Sequence, residues 1–339
     1  MDGSTDGSTM QGIGGLSLPD EFAGDFSGVL TAHRDGVLVE GWALGLADRS
    51  LAVPNTFETR FGLASITKTF TAAAVLSLVA DGTITLDTTA RSILGADLPL
   101  IADDVTIDQL LTHRSGIGDY LDEEIDDLAP LPIPVQQLDS VEAYVPLVDG
   151  FETAFPAGER FAYCNGGFVV LGILAERASG IPYGELITRR VFEPAGMTSA
   201  DLARSDAPEP HTATGYRDDG TTNVFHLPVV GVGDGGAHAA SADLDAFWRA
   251  LYDGRLLPER LVAAMVEEVT EDAEDGRGYG RGVWIDGDLV SMAGGDHGVS
   301  ALSSYDPVTR ITVTALANVD TRTLRRITWL RSALARVTR

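Results

Sequence analysis

A short extended lead-in turns into a helical apolar pattern within Phe61-Gly62-Leu63-Ala64-Ser65-Ile66-Thr67-Lys68-Thr69-Phe70. Residues three apart lie on one face of a helix, so this stretch predicts that the Ser65 hydroxyl and the Lys68 amine are neighbours at the first turn. The unpaired N–H groups and the helix dipole at such a turn favour developing negative charge. This S-x-x-K pattern therefore indicates a nucleophilic serine with a lysine base.

Lys68 is the only lysine in the chain, since the other 23 of the 24 Lys and Arg residues are arginine. A genome that encodes basic positions as arginine explains the general bias. Arginine does not release its proton at working pH, whereas a lysine with a lowered pKa can act as a base. The one lysine stands where arginine could not perform this chemistry, which strengthens the catalytic interpretation.

The composition is that of an acidic globular protein. The chain has 339 residues, of which 44% are apolar, and a formal net charge of -26. This length indicates one large domain or two interleaved subdomains. The charge argues against nucleic acid and anionic membranes as partners. High acidity with almost no lysine is typical either of salt adaptation or of a GC-rich genome. The oligomeric state does not follow from these features.

The cysteine, histidine and hydropathy patterns bear on disulfides, on metal binding and on the cellular location. Cys164 is the single cysteine, which excludes an intrachain disulfide. None of the six histidines has metal-ligand spacing, so we expect no metal and no cofactor. No stretch is long and apolar enough to span a membrane. Residues 1–20 are expected to be a disordered leader without signal-peptide features, which predicts a cytoplasmic protein.

Strand-like segments near both ends of the sequence bracket a mostly helical middle. Residues 26–33 and 37–44 form a hairpin pattern, and residues 278–317 contain several further strands. An apolar stripe over residues 324–337 predicts a C-terminal helix. Its arginines could suit a membrane surface, but packing on a sheet is the commoner arrangement.

A second candidate catalytic element is Tyr163-Cys164-Asn165. A serine nucleophile needs a base, a proton path to the leaving group and donors for an oxyanion. A tyrosine near a lysine can carry the proton, because the cation favours the phenolate. Tyr163 fits that role, and the amide of Asn165 can contact both Lys68 and the substrate carbonyl.

With these two elements the sequence resembles the serine hydrolases of the class C β-lactamase fold. That family includes D-alanyl-D-alanine carboxypeptidases, D-aminopeptidases and family VIII carboxylesterases. Ser65-Ile66-Thr67-Lys68 matches its first motif, and Tyr163-Cys164-Asn165 matches its second. The resemblance runs over about residues 26–318, with weaker supporting segments in the family's order at residues 110–116, 155–159, 193–197, 235–236 and 241–244.

The resemblance implies an α/β fold in which an antiparallel sheet flanked by helices is built from both chain ends. A mostly helical domain is inserted between them, as in transpeptidases. This implication agrees with the order of elements along the sequence. We place the sheet domain at residues 21–80 and 230–339, and the helical domain at residues 81–229.

The third family motif, Lys-Thr-Gly or His-x-Gly on a strand facing the serine, is where this chain departs. The preferred register places Met292-Ala293-Gly294 there, which leaves the motif without its cation. The N–H of Gly295 would then complete an oxyanion hole with that of Ser65. A second register makes His297-Gly298 the motif. In either register His297 lies just past the strand, where it can reach the mouth of the site.

The leading hypothesis is a serine hydrolase that forms an acyl-enzyme on Ser65, specifically a carboxylesterase on neutral esters, with amidase or acyltransferase activity as a further expectation. Family members hold the carboxylate of β-lactams or D-Ala-D-Ala ends with the cation that is missing here. With Met292 in its place and an acidic loop at residues 122–127, anionic substrates should bind poorly.

Two alternatives remain open at this stage. One is a β-lactamase or D-Ala-directed peptidase, which needs His297, Arg281 or another cation to hold the substrate carboxylate. The other is a catalytically silent binding protein on the same fold. A small ester or amide is the expected ligand of the first two classes.

Overall fold

The two ends of the chain share one antiparallel sheet in the computed structural model. The structure describes residues 10–24, 26–121, 131–271 and 276–337. Its strands are β1 (Met10–Gln11), β2 (Ser17–Leu18), β3 (Gly28–Arg34), β4 (Val37–Leu44), β5 (Leu46–Asp48), β6 (Val53–Pro54), β7 (Phe61–Gly62), β8 (His238–Ala239), β9 (Thr270–Glu271), β10 (Gly278–Tyr279), β11 (Trp284–Asp286), β12 (Leu289–Asp296), β13 (Val299–Asp306) and β14 (Ile311–Ala317). The main sheet has the order β4-β3-β14-β13-β12-β11-β10-β9.

Helices cover both faces of the sheet and fill the middle of the chain. They are α1 (Asp20–Ala23), α2 (Thr67–Ala80), α3 (Ala90–Leu94), α4 (Ile107–Leu111), α5 (Val145–Val148), α6 (Asn165–Ser179), α7 (Tyr183–Ile187), α8 (Glu193–Ala195), α9 (Ser241–Tyr252), α10 (Glu259–Val266) and α11 (Thr323–Val337). Short 3-10 helices cover Ala64–Ile66, Val135–Gln137 and Val141–Tyr144, and a π-helical segment covers Thr188–Phe192.

Side-chain alternation in the central strands explains why the sheet is buried on both faces. Strands β3 and β14 pair antiparallel from Gly28 opposite Ala317 onward, and alternate residues of a strand face opposite sides. Leu30 joins a core cluster with residues of α11, whereas Val29 joins the larger cluster with residues of α9. The antiparallel sheet flanked by helices is therefore confirmed.

Helix α2 passes through the core and is buried on almost every side. Its small residues let neighbouring backbone approach closely, because a side chain at Gly282 would lie only 2.5 Å from Cβ of Ala72. The Thr69 hydroxyl donates to the Gly282 carbonyl at 2.7 Å, which holds the two segments together. Helices α3 to α8 all fall within residues 81–229, while the exact domain boundaries stay a prediction.

The expected disordered leader was wrong for residues 10–20. Strand β1 pairs with β2, and Leu18 is buried in the core cluster under α11. The Glu40 carboxylate accepts the N–H groups of Gly14 at 2.9 Å and Leu16 at 2.8 Å. A buried carboxylate that needs donors thus orders a Gly-rich segment whose composition alone gave no such signal. Residues 1–9 lie outside the described residues.

The C-terminal helix packs on the sheet, in agreement with the commoner arrangement. Ile327 and Leu330 of α11 are buried against strands β13 and β14. The guanidinium of Arg326 is buried with them and donates to the carbonyl of Phe22 at 3.0 Å. Among the described residues, none of the helices has the length and apolarity needed to cross a membrane. The predicted acidic loop at residues 122–127 lies outside the described residues.

Candidate active site

Ser65, the predicted nucleophile, lies on a turn between β7 and α2 whose backbone is held in place by side-chain hydrogen bonds. The 3-10 helix Ala64–Ile66 leads directly into α2, and Ala64 adopts a left-handed φ of 44°. The Thr67 hydroxyl donates to the Ala64 carbonyl at 2.8 Å and accepts the N–H of Ala237 at 3.1 Å. A strained backbone persists only where its surroundings fix it, and these two bonds do so next to Ser65.

Lys68 is almost fully buried, with 2% of its surface exposed, and its amine lies within hydrogen-bond distance of oxygens of Ser65, Asn165 and Asp234. Nζ lies 2.8 Å from Oγ of Ser65, 2.7 Å from Oδ1 of Asn165 and 3.1 Å from the carbonyl oxygen of Asp234. The last two oxygens can only accept. A neutral amine has two N–H donors and one lone pair, so satisfying both acceptors aims its lone pair at the Ser65 hydroxyl. This geometry suits proton transfer from serine to lysine.

Tyr163 lies beside this amine in an aromatic stack. Its ring centroid is 5.0 Å from Nζ of Lys68, within the range of a cation–π contact. The ring stacks on Trp284 at 6.2 Å between centroids and packs at a tilt of 33° against the imidazole of His113 at 4.3 Å. The two neighbours fix the plane of the ring, so Tyr163 meets Lys68 with little freedom to rotate.

His113 organises the segment that carries both Tyr163 and Asn165. Its Nδ1 accepts the N–H of Cys164 at 3.0 Å, so the ring proton lies on Nε2, which is 3.1 Å from the Tyr279 hydroxyl. Complete burial, with a smaller effect of the Lys68 charge, lowers the pKa of His113 well below its ordinary value. The imidazole is therefore a neutral structural acceptor.

We expect this neutral histidine to make the protein acid-sensitive. Because the folded pKa lies below the unfolded value of about 6.5, its contribution to stability is complete above that pH and is lost as pH falls. His113 occupies a left-handed φ of 53°, which asparagine also tolerates. Between pH 6.5 and 5, the free energy of unfolding should fall less steeply in His113→Asn than in the wild type. The two slopes should differ by up to about 1.4 kcal/mol per pH unit. Urea unfolding across that range measures the slope. Equal slopes in the two proteins would contradict a neutral buried His113.

Carboxylates that were not singled out in the sequence surround the predicted catalytic groups. Asp119 accepts the N–H of Asn165 at 2.6 Å and of Gly166 at 2.8 Å, which caps the N-terminus of α6. Asp234 accepts the Tyr120 hydroxyl at 2.6 Å. Burial raises the pKa of Asp119, opposed by these N–H bonds. Both residues lie in loops without a motif, and Asp234 reaches Lys68 through its backbone, so sequence patterns gave no signal for either.

Strand β12 brings the predicted third motif against the turn that carries Ser65. A side chain at Gly294 would overlap the Leu63 carbonyl oxygen and lie 2.9 Å from the backbone N of Ser65. A side chain at Gly298, the glycine of the second register, would instead meet the backbone of Tyr216 at 2.5 Å. The close approach to the backbone at Ser65 is therefore made by Gly294, the glycine of the preferred register.

Met292 does not reach the substrate space in this strand. Its side chain is 1% exposed and belongs to the core, while Ala293 and Gly295 line the cleft. His297 also lines the cleft, and its ring is 5.3 Å from that of His226. The cleft holds about 1970 Å³, and it is further lined by Ser65, Tyr163, Asn165 and Gly294. The structure thus groups the predicted site residues at one cleft, with Lys68 buried directly behind them.

Asp296 adds a carboxyl group to the same cleft. Burial raises its pKa to about 6, against the opposing effect of a hydrogen bond from the N–H of His297. Sequence reasoning passed over Asp296 because it follows the glycine pair at a hairpin turn, where aspartate is common. Among the described residues, no His, Cys, Asp or Glu cluster of three or more is arranged to hold a metal ion.

Comparison with known proteins defines the class. A family model for beta-lactamase matches residues 12–336. The crystal structure of a penicillin-binding protein from Bacillus halodurans has a TM-score of 0.83 and 34% sequence identity, covering 91% of this chain and 97% of that one. The chain belongs to the beta-lactamase family, within the superfamily of β-lactamases and penicillin-binding proteins, whose serine hydrolases act through an acyl-enzyme.

Two curated relatives show the range of this family. Penicillin-binding protein 4* of Bacillus subtilis (strain 168) is 29% identical over 299 residues, which are 82% of this chain and 64% of that protein. A D-aminopeptidase of Brucella anthropi is 30% identical over 246 residues, 70% of this chain and 44% of that protein. The chain therefore spans less than two thirds of the length of both relatives.

Proposed function

We propose that this protein is a serine carboxylesterase that forms an acyl-enzyme on Ser65. The observation that carries the proposal is the position of the Lys68 amine. It lies 2.8 Å from the Ser65 hydroxyl, while Asn165 and the Asp234 carbonyl occupy its two N–H donors. A buried amine held this way accepts the serine proton as the hydroxyl attacks an acyl carbonyl.

The remaining steps use groups that line the same cleft. The tetrahedral oxyanion accepts hydrogen bonds from the N–H groups of Ser65 and Gly295, and Asn165 orients the substrate. The carbon–oxygen bond to the leaving alcohol then breaks, and Lys68 returns the proton to that alcohol through Tyr163. In the second half-reaction the same pair takes a proton from water, which attacks the acyl-enzyme and releases the acid.

The charge of the cleft supports substrates without a carboxylate. Among the described residues, five aspartates line it against two arginines, Arg160 and Arg277, and Met292 at the third-motif position is buried and apolar. Negative potential of this kind repels anionic ligands such as β-lactams. Neutral esters avoid that repulsion. Amides are the second candidate class, supported by the similarity to a D-aminopeptidase.

Two substrates with different charge test this proposal directly. We expect fast hydrolysis of p-nitrophenyl butyrate, which is neutral, and little turnover of nitrocefin, which carries a carboxylate. A fluorophosphonate probe should label the protein once, as read by intact mass, and the label should be absent in Ser65→Ala. Ser205→Ala is the matched control, because Ser205 also lines the cleft but donates to the Pro228 carbonyl.

Other outcomes would favour the alternatives. Nitrocefin turnover that exceeds ester hydrolysis would make the protein a β-lactamase or peptidase with a carboxylate-binding cation. Absence of both activities and of any Ser65 label would favour a catalytically silent binding protein. Labelling of Ser65→Ala at the wild-type level would mean that another residue is the nucleophile.

A further inference from the structure

Strand β12 gives the catalytic cleft two chemically different ends. Near its start lies Trp284 of the neighbouring strand β11, whose ring stacks on that of Tyr163. Gly294, two residues before the end of the strand, lies against the backbone of Ser65. Asp296 forms the far end of the strand. A substrate lying across the nucleophile along β12 therefore meets aromatic rings at one end and a carboxyl at the other.

The path of the proton determines which end of the cleft binds the leaving group and which end binds the acyl group. In the proposed mechanism Tyr163 delivers the proton to the leaving group, so the leaving group lies at the aromatic end, beside Trp284. The acyl substituent is attached on the opposite side of the reacting carbonyl. It therefore extends past Gly294 toward Asp296.

The carboxylate of Asp296 accepts fewer hydrogen bonds from the described residues than its two oxygens could accept. Its Oδ1 accepts the N–H of His297 at 2.7 Å, and its second oxygen accepts no hydrogen bond within the described ranges. The carboxyl is closely enclosed by protein atoms, yet the residue keeps part of its surface on the cleft. An enclosed carboxylate with an open acceptor binds a charged donor more strongly than a neutral one. Asp234 adds negative potential to the same region.

We infer that Asp296 binds a protonated amine on the acyl group, so that the preferred substrates are esters or amides of amino acids with a free amino group. The inference rests on the proposed function and names its substrate class. The ammonium donates to the open carboxylate oxygen, and no covalent step involves Asp296. Lys68 is no competitor for this position, because its amine is engaged by Ser65, Asn165 and the Asp234 carbonyl.

A matched pair of benzyl esters isolates this contact. Benzyl isobutyrate differs from alanine benzyl ester only by a methyl group in place of the ammonium. We expect wild type to prefer the ester of at least one alanine enantiomer, measured as a ratio of kcat/KM from benzyl alcohol release. In Asp296→Asn that ratio should fall about tenfold or more, since a charge-assisted hydrogen bond is lost. Asparagine keeps the side-chain acceptor for the His297 N–H, so the turn is preserved.

A second aspartate variant distinguishes a direct contact with Asp296 from the negative electrostatic potential of the cleft as a whole. Asp206 also lines the cleft, where it pairs with Arg204 at 2.9 Å. Asp206→Asn should leave the ratio of the two esters unchanged. A ratio that is the same within about threefold in wild type and Asp296→Asn would overturn the inference, as would an equal loss in Asp206→Asn. If wild type shows no Ser65-dependent hydrolysis of p-nitrophenyl butyrate, the proposed function itself fails.

The pH dependence of the same ratio gives an independent readout. The groups that act on Asp296 are His297 beside it, Asp234 in the glycine-rich loop and Lys68 on α2. Because its pKa is about 6, the carboxylate forms as pH rises from 5 to 7, while the amine of the ester stays largely protonated. The preference for the alanine ester should therefore increase over this range in wild type and stay flat in Asp296→Asn. A flat wild-type profile would contradict a charged contact at Asp296.

Discussion

Lys68→Met and Lys68→Arg should each lower kcat/KM on p-nitrophenyl butyrate by about a thousandfold or more, while the protein stays folded. Methionine keeps the length of the side chain but has no base. Arginine keeps the charge but does not release its proton at working pH. Both variants thus remove the one property that the contacts of Nζ with Ser65, Asn165 and Asp234 are arranged to use.

The measurement pairs initial rates with near-UV circular dichroism and the melting temperature. Ser65→Ala should show the same loss as the lysine variants, because the two residues act as one unit and their effects are not additive. Arg190→Lys is a matched basic exchange at a partly exposed ion pair with Asp81, and we expect normal activity there. More than a tenth of wild-type activity in Lys68→Arg would show that Lys68 contributes only its charge.

Gly294→Ala should be the most damaging change in strand β12. The added methyl group overlaps the Leu63 carbonyl and approaches the backbone N of Ser65, and both contacts are backbone, which cannot rotate away. The turn carrying the nucleophile must therefore shift. Overpacking costs about 1–3 kcal/mol of stability, and a displacement of about 1 Å at a catalytic centre can cost about a hundredfold in rate.

Gly295→Ala is the control for this prediction. A methyl group at Gly295 meets none of the described atoms within 4 Å, so the variant should keep the wild-type melting temperature. We expect a lower melting temperature in Gly294→Ala alone, and in that variant a kcat reduced by about a hundredfold. If Gly294→Ala retains wild-type stability and rate, β12 does not press on the turn of Ser65, and the preferred register of the third motif must be abandoned.

Local patterns made part of this site predictable. The S-x-x-K spacing, the single lysine and the Tyr-x-Asn segment are contiguous in sequence, and the structure brings Ser65, Lys68, Tyr163 and Asn165 to one cleft. The element order and the family resemblance likewise gave the antiparallel sheet built from both chain ends. The motif spacings and the element order are short-range features that a sequence displays directly, whereas the pairing of both chain ends in one sheet was implied by the family resemblance.

The missed features depend on tertiary contacts. The third partner of Lys68 is the backbone carbonyl of Asp234, an atom that every residue type possesses. Asp119 acts at the N-terminus of α6 from a loop more than forty positions away. Ordering of residues 10–20 depends on the distant carboxylate of Glu40. Such pairings leave no period or motif, so only the folded chain reveals them.

The pairing of β3 with β14 has a consequence for synthesis of this protein on the ribosome. Arg34 faces Ile311, so 277 residues (311 − 34) must be added before the two strands can meet. At about 5–20 residues per second, the N-terminal hairpin waits roughly 14–55 s for its neighbour. During that interval the inner edge of β3 is unpaired, and such edges are prone to intermolecular strand pairing. Nascent chains that are released after the hairpin has been made but before β14 is complete should therefore aggregate most. Chains of this length should also depend most on chaperones.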